Sequence, residues 1–393
     1  MSIAANFPLI DVSGAPRERG HQYGQQAAER IMRGIAHYSS QLEARKLGWD
    51  DIREITQRFE PTIASFDASY IEEMHGIADG AGVEYAAIVL LNARTELLKL
   101  ALRREKGEPM PEDPDGCTGL IALPQATASG RVIHAQNWDW KVECTETAVV
   151  LRIRRDDGPD ILTFTEAGVL ARFGFNSVGI SITGNYLECE RDYRKLGVPL
   201  ALIRRKVLEQ TQLALAMRSV YATPKSASNN IIVGHANGVA INFECVPDET
   251  FQIFPENGVI VHANHFQSPV ALTKLEDRGI ANMPDSLYRD IRVRGLLEPH
   301  VGRITTDHVK DALFDDFETP FAVCRPPRKS LSADSNNQSA TVAMIVMEPE
   351  LGVMEVAMLP ALNRHFTTYS LEMAIVQPNS TKNTREPAAS SAA

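Results

Sequence analysis

The chain has 393 residues, enough for one large domain or two ordinary ones, and its composition, 44% hydrophobic and 23% charged, is that of a soluble globular protein. A formal net charge of −10 argues against nucleic-acid binding and against any partner that needs a basic surface. Five scattered cysteines, Cys117, Cys144, Cys189, Cys245 and Cys324, include no C-x-x-C pair, so neither a disulfide framework nor a structural zinc site is expected.

The opening residues lack a basic segment followed by a long apolar core, and apolar runs such as Tyr85–Leu91 are too short to span a bilayer. The expectation is a cytoplasmic protein that engages no membrane. The first third reads as helical. Apolar residues recur at helical spacing from Pro16 to about Lys46, with Ser13 as the expected cap and Pro16 in the first turn. The pattern continues through Asp50–Phe59, Pro61–Ala78 and Glu84–Glu105, the last ending on the basic residues Arg103 and Arg104.

Lys106–Gly116 breaks that pattern. Three prolines, two glycines and four acids in eleven residues exclude a helix or a central strand, and an exposed loop of this kind is where chains are cut. Composition alone favours an ordinary linker.

Short β-type runs follow: Cys117–Pro124, Arg131–Trp140, Ala148–Arg155, Ile161–Glu166, Ala171–Phe175 and Gly179–Thr183. Two helices are expected at Pro199–Gln210 and Thr211–Tyr221. Strands resume at Asn229–Gly234, Val239–Val246, Thr250–Ile253 and Gly258–Ala263. Helices fit Asp285–Leu297 and Thr306–Phe314, and a hairpin fits Ala340–Met347 with Gly352–Met358. The tail 377–393, rich in Ser, Thr, Asn, Pro and Ala, reads as disordered. The order implies an α+β protein of antiparallel sheets with helices on their outer faces. No internal repeat and no Gly-rich phosphate loop is evident.

Cys117 is the sharpest chemical feature. It lies where the acidic loop meets the first of these strands, although a lone cysteine is usually a buried structural residue. Gly116 removes steric cover on its carbonyl side, and Asp115-Gly116 permits a tight turn.

Asp115-Gly116-Cys117-Thr118, followed by Ala135-Gln136-Asn137-Trp138-Asp139, resembles the isopenicillin N acyltransferase family (acyl-coenzyme A:6-aminopenicillanic acid acyltransferases). More distantly it is similar to the choloylglycine hydrolases and penicillin V amidases. Further blocks carry the resemblance in order: Leu91–Glu96, Thr165–Gly168, Gly174–Gly179, Val261-His262-Ala263-Asn264-His265, and Pro320–Arg325. It spans residues 8 to 370.

The resemblance implies a four-layer αββα sandwich of the N-terminal-nucleophile hydrolase type, one domain over 1–376. The precursor would cut itself between Gly116 and Cys117 into 1–116 and 117–393, which stay together as an αβ heterodimer. A higher homo-oligomer is compatible with this. The physical logic stands independently. A free thiol has a pKa of about 8.5 and a free α-amino group one of about 8. A terminal cysteine therefore carries its own general base, and no histidine, cofactor or metal is required.

By the same resemblance, Asp139 would orient the new amino terminus; read from residues alone it is a turn or edge carboxylate. Alternation over Ile133–Trp140 places Ile133, Ala135, Asn137 and Asp139 on one face. Asn264 would supply an oxyanion-stabilising amide, against a turn-forming role. Arg325 would sit beside the nucleophile, although Arg325-Pro326-Pro327-Arg328-Lys329 also reads as exposed loop. Asn185 and Tyr186 are expected near the substrate, and Trp140 and Phe173 as pocket walls, against the commoner fate of core packing. His262 and His265 invite a metal reading, but at i,i+3 on a strand they would point to opposite faces.

The chain departs from the penicillin-forming enzymes at Trp140-Lys141-Val142-Glu143, which is more charged than the aromatic segment expected there, and by extra residues near Gln125–Arg131. Penicillin biosynthesis is therefore not implied. The leading expectation is hydrolysis of a small N-acyl amine through a thioester. The alternatives are acyl transfer from acyl-coenzyme A or an amide to an amine, a catalytically silent binding protein of the same fold, and a papain-like Cys–His protease.

Overall fold

The computed structural model describes residues 6–104, 116–329 and 338–374. The cleavage loop expected up to Asp115 and the tail expected from 377 lie outside the described residues. Among the described residues two sheets form. One has eight strands in the spatial order Leu9–Ser13, Ala148–Arg154, Ile161–Glu166, Phe173–Asn176, Ile180–Tyr186, Asn229–His235, Val239–Val246, Glu249–Ile253. The other runs Val259–His262, Gly116–Ala122, Ile133–Lys141, Gln338–Glu348, Val353–Met358, Phe366–Ser370, and Arg328–Lys329 pairs onto Gln338–Glu348.

The sheets pack face to face. His134 hydrogen-bonds Ser181 and Thr183 across the gap, both at 2.8 Å, and the Trp138 and Phe164 rings meet edge-on at 5.7 Å. Helices Pro16–Glu43 and Tyr85–Asn92 cover the eight-stranded sheet: the Tyr23 hydroxyl donates to the Glu166 carbonyl at 3.2 Å and Asn92 Nδ2 to the Gly168 carbonyl at 2.9 Å. Helix Leu200–Leu208 lies on the same side, tied to Asn176 Nδ2 through the Leu208 carbonyl. Ser286–Leu297 and Thr306–Leu313 cover the other sheet, where Asn137 Nδ2 donates to the Leu313 carbonyl at 2.8 Å. The molecule is thus an α+β sandwich layered α-β-β-α. No helix among the described residues is long and apolar enough to cross a membrane.

Several expectations shift. Ser13 ends a strand, Leu9–Ser13, and its N–H donates to Gln22 Oε1 at 3.0 Å; the first helix starts from Ala15 with no side-chain cap. Leu9–Ser13 pairs with Ala148–Arg154 in parallel, the one non-antiparallel pair described in its sheet, because helices and two strands of the other sheet lie between them in a long crossover rather than a hairpin. The helix expected over Glu84–Glu105 breaks at Ala93 into Tyr85–Asn92 and Arg94–Arg104.

Helices Pro16–Glu43 and Glu60–Ala81 cross at unusually short range because four glycines interlock there. A Cβ on Gly20 would lie 2.1 Å from the Glu73 carbonyl oxygen, and Cβ atoms on Gly24, Gly76 and Gly80 would each lie 2.2 Å from a facing carbonyl. The contact is sealed by Arg19, whose Nε donates to Glu73 at 2.7 Å, and Glu73 also accepts from Arg205 at 3.0 Å. Gly76→Ala must push the helices apart, and the expected loss is about 1–3 kcal/mol. Urea unfolding checks this; an unchanged midpoint would mean the crossing is not tightly packed.

Candidate active site

Strand Gly116–Ala122 pairs antiparallel with Ile133–Lys141, with Gly116 opposite Asp139 and Cys117 opposite Trp138. Side chains alternate along the pair. Cys117 and Trp138 face the other sheet, and Cys117 is buried at 1% exposure. Gly116 sits on the face of Asp139. The turn expected at Asp115-Gly116 is therefore replaced, at Gly116, by extended strand. The glycine is needed for close approach: a Cβ there would lie 2.9 Å from Asp139 Oδ2 and 3.0 Å from an Arg325 guanidinium nitrogen.

Asn264 reaches Cys117 because the chain reverses after strand Val259–His262. Buried Glu244 holds the reversal, accepting from Gln267 N at 2.6 Å and Ser268 N at 3.1 Å and contacting His262 Nε2 at 2.8 Å. Asn185 helps, donating through Nδ2 to the His262 and Ala263 carbonyls at 2.8 and 2.7 Å. The same reversal brings the His262 and His265 rings into a stack, centroids 6.3 Å apart, so the opposite-face expectation for this pair fails. His265 lies beyond the strand end, where alternation no longer applies.

Asn264 Oδ1 accepts from the Cys117 backbone N–H at 2.8 Å and from Arg289 at 2.8 Å, while its Nδ2 donates to the Tyr186 carbonyl at 2.9 Å. Two donors on one oxygen fix the amide orientation. Arg289 also donates to the Cys117 carbonyl at 2.6 Å, to Thr118 Oγ1 at 2.8 Å and to Asp285 at 2.8 Å. Asp285 in turn contacts Arg325, whose Nε is 3.3 Å from Asp139 Oδ2. Asp139 Oδ1 accepts from the Thr341 hydroxyl at 2.6 Å, and Thr341 Oγ1 accepts from the Arg325 backbone N–H at 2.7 Å.

The structure thus brings Cys117, Asp139, Asn264 and Arg325 together around one peptide unit. Arg325 is buried rather than part of an exposed loop. Burial alone would lower its pKa, but Asp139 and Asp285 more than reverse this and hold the guanidinium charged. For Asp285, burial would raise the pKa, and Arg289 with Arg325 hold it below the usual carboxylate range.

The Cys117 side chain borders a cavity whose walls include Arg94, Glu166, Arg172, Asn185, Tyr186 and Arg204. Trp140 and Phe173 are not in that lining. The Trp140 indole N–H donates to the Tyr38 hydroxyl at 3.1 Å, and Phe173 carries the Arg172 and Arg204 guanidiniums on its ring at 5.3 and 5.8 Å.

Asp285, Ser286, Arg289 and Thr341 are site residues that motif reading missed. Ser286 Oγ accepts from Asn264 N at 2.7 Å. The detectable signal was Asp285 and Arg289 at i,i+4 in the first turns of the expected helix. Replacing Arg289 by Met leaves Asp285 and the Asn264 and Cys117 oxygens without this buried donor, at an expected cost of about 3–5 kcal/mol. The exposed Arg303→Met should change stability by no more than about 0.5 kcal/mol. Equal urea midpoints for the two variants would contradict the network's importance.

The family model "Acyl-coenzyme A:6-aminopenicillanic acid acyl-transferase" matches residues 126–358, more than half of the chain. The acyl-coenzyme A:6-aminopenicillanic-acid-acyltransferase 40 kDa form of Emericella nidulans is 29% identical over 329 residues, 83% of this chain and 87% of that protein. An uncharacterized protein of Archaeoglobus fulgidus is 23% identical over 349 residues, and the match spans 78% of this chain but only 57% of that longer protein. Among solved structures, penicillin V acylase from Agrobacterium tumefaciens aligns at a TM-score of 0.44 and 16% identity, covering 65% of this chain and 86% of that one. The Caenorhabditis elegans ortholog of N-acylethanolamine-hydrolyzing acid amidase aligns at 0.40 and 18%, covering 65% and 100%. The chain belongs to the acyl-coenzyme A:6-aminopenicillanic acid acyl-transferase family.

Proposed function

We propose that this chain is a self-processing cysteine amidase that becomes active when the Gly116–Cys117 bond is cut. The observation that carries this is the environment of the Cys117 nitrogen. It donates to Asn264 Oδ1 at 2.8 Å inside a buried shell of charges, while the thiol on the same residue borders the cavity. Any buried backbone N–H needs an acceptor; what supports the reading is that this one is a side-chain amide, itself held by Arg289, and not the carbonyl of a neighbouring strand. Gly116, wedged against Asp139 and Arg325, is the acyl partner of the bond in question.

In the first phase the Cys117 sulfur attacks the Gly116 carbonyl carbon. The C–N bond breaks, the thiol proton passes to the nitrogen, which leaves as an amine, and a thioester to Gly116 forms. Water then releases Gly116 as a carboxylate and regenerates the thiol. The products, 1–116 and 117–393, stay together through the core that both contribute to: Tyr23 and Asn92 on the first fragment bond the backbone of residues 166 to 170 on the second.

In the second phase the free α-amino group, with an ordinary pKa of about 8, accepts the thiol proton as sulfur attacks the substrate amide. Asn264 and Asp139 hold and orient that amine. The tetrahedral oxyanion needs fixed donors, and the Asn264 amide, locked by Arg289, is our candidate for one of them. Collapse expels the substrate amine, protonated by the α-ammonium, and water cleaves the thioester.

Acyl transfer is the second reading, favoured by the family's own name, and it differs only in whether an amine or water takes the acyl group. A labelled amine acceptor separates the two: labelled amide forming faster than free acid would replace hydrolysis by transfer. The self-processing claim is tested by intact mass. We expect two fragments with the larger starting at Cys117, Cys117→Ala to leave a single chain of 43.3 kDa, and Asp139→Asn to slow the cut at least about tenfold. A single uncut species with full amidase activity would refute the mechanism.

A further inference from the structure

We infer that Thr341 is a positioning residue for the reaction: it binds one oxygen of Asp139 and so leaves the other, Oδ2, to receive the amine that the cut at Gly116 releases. This rests on the self-processing reading above, in which Asp139 orients that amine.

The hydrogen bonds around Thr341 run in one direction. The Arg325 backbone N–H can only donate, and it donates to Thr341 Oγ1 at 2.7 Å. The hydroxyl keeps one proton to give, and Asp139 Oδ1 accepts it at 2.6 Å. Cys324 lies nearby, but burial pushes its thiol up to about 12, and a neutral thiol is a weak acceptor. The Thr341 N–H donates back to the Arg325 carbonyl at 3.0 Å, so residue 341 is tied twice to residue 325 before it meets the carboxylate. Thr341 and Asp139 are both buried.

The strand leaves its register to put a hydroxyl there. In Gln338–Glu348, Met344 stands opposite Asn137, and regular alternation from that point would set Val342 opposite Asp139. The pairing shifts by one residue between Thr341 and Ala343, so Thr341 takes that place, and Val342 packs into the core that contains Trp138 and Cys117. A bulge interrupts the ladder and re-aims a side chain, and bulges gather beside active sites. A valine opposite Asp139 would give Oδ1 no donor in a place without water.

Oδ2 is in the opposite condition. Among the described residues it accepts no hydrogen bond, and Arg325 Nε stands 3.3 Å away as an ion-pair partner. It lies against Gly116, whose carbonyl carbon is in the scissile bond: a Cβ there would be 2.9 Å from it. A buried carboxylate oxygen without a donor is costly to keep. An α-amine formed at Cys117 brings the donors that are missing. Without the Thr341 hydroxyl the carboxylate would be free to turn, and the amine would lose a partner of fixed direction.

The test measures self-cleavage of the full chain, and turnover of N-valeryl para-nitroanilide by the processed enzyme. Thr341→Val keeps the shape and removes the hydroxyl. We expect it to slow the cut, and to lower kcat, by about ten- to a hundredfold, the worth of a hydrogen bond to a buried charge. KM should change by less than about twofold, because Thr341 is not among the cavity walls. Thr341→Ser keeps the donor and should cut within about threefold of the wild-type rate. In an Asp139→Asn background, where the carboxylate is gone, Thr341→Val should cost no more than about threefold further. Where Thr341→Val does not fold, Thr341→Ala takes its place and is read against Thr341→Ser, from which it differs by the hydroxyl alone. Where the processed enzyme does not turn over this amide, the cleavage rates decide. Wild-type rates in Thr341→Val, an equal loss in Thr341→Ser, a loss confined to KM, or the full loss again in the Asp139→Asn background each overturns this inference and leaves the self-processing reading standing. A wild-type chain that stays uncut overturns the self-processing reading, and the inference with it.

Discussion

The surroundings of Cys117 depend on one buried charge network, running Asp139–Arg325–Asp285–Arg289. Each of these groups alone would be expensive to bury, by several kcal/mol after relaxation. In alternation they neutralise one another, and each holds its neighbour's charge in place, as the opposing shifts at Asp285 and Arg325 indicate. The members come from a strand, from the segment leading into strand Gln338–Glu348, and from the start of helix Ser286–Leu297. The network therefore fixes the relative position of three elements at one point. That point is the head of strand Gly116–Ala122: Arg289 bonds the Cys117 carbonyl at one end, and Asp139 abuts Gly116 at the other.

Strand alternation then divides the work. The Cys117 side chain belongs to the face between the sheets, with Trp138, and meets the cavity. Gly116 and Thr118 belong to the opposite face, with Asp139 and the helix that carries Arg289. A residue's thiol and its backbone nitrogen are thus addressed by separate sets of groups. A one-residue register slip would exchange the two faces and destroy both. The ladder against Ile133–Lys141 runs unbroken over Gly116–Ala122, which guards against that slip.

Much of this was legible from the residues. The strand runs from Cys117 to Phe175 fall within two residues of the observed elements, because turn signals separate them and alternation is regular. The shared face of Ile133, Ala135, Asn137 and Asp139 matches the contacts, with Ile133 and Ala135 packed under the outer helices and Asn137 bonded to the Leu313 carbonyl. What was not legible is tertiary in origin. Leu9–Ser13 is too short and too mixed to declare itself as a strand until Ala148–Arg154 pairs with it. Arg289 and Asp285 looked like any i,i+4 surface pair on a helix; only the docking of that helix against Asn264 buries them. Thr341 is one Thr in a β-rich run. Trp140 and Phe173 were sought as pocket walls from their apolar character, whereas they lie behind the wall and support arginines that belong to it.

The acceptor for the Cys117 nitrogen is present while that nitrogen is still an amide. On the proposed mechanism, the cut at Gly116 then changes the chemistry of the nitrogen far more than its place. An amide N–H is no base; the amine that replaces it titrates near neutral pH. A site assembled beforehand avoids reorganisation when the reaction occurs, and misplacement by about 1 Å is enough to cost about a hundredfold. This explains the demand for glycine at 116 in terms that a flexible-linker view does not: a side chain there would displace Asp139 and Arg325, the groups that have to be in position before and after the bond is broken. The cavity arginines stand on the other face of the strand. On the proposed mechanism, the cavity wall can therefore vary without disturbing the shell around the Cys117 nitrogen.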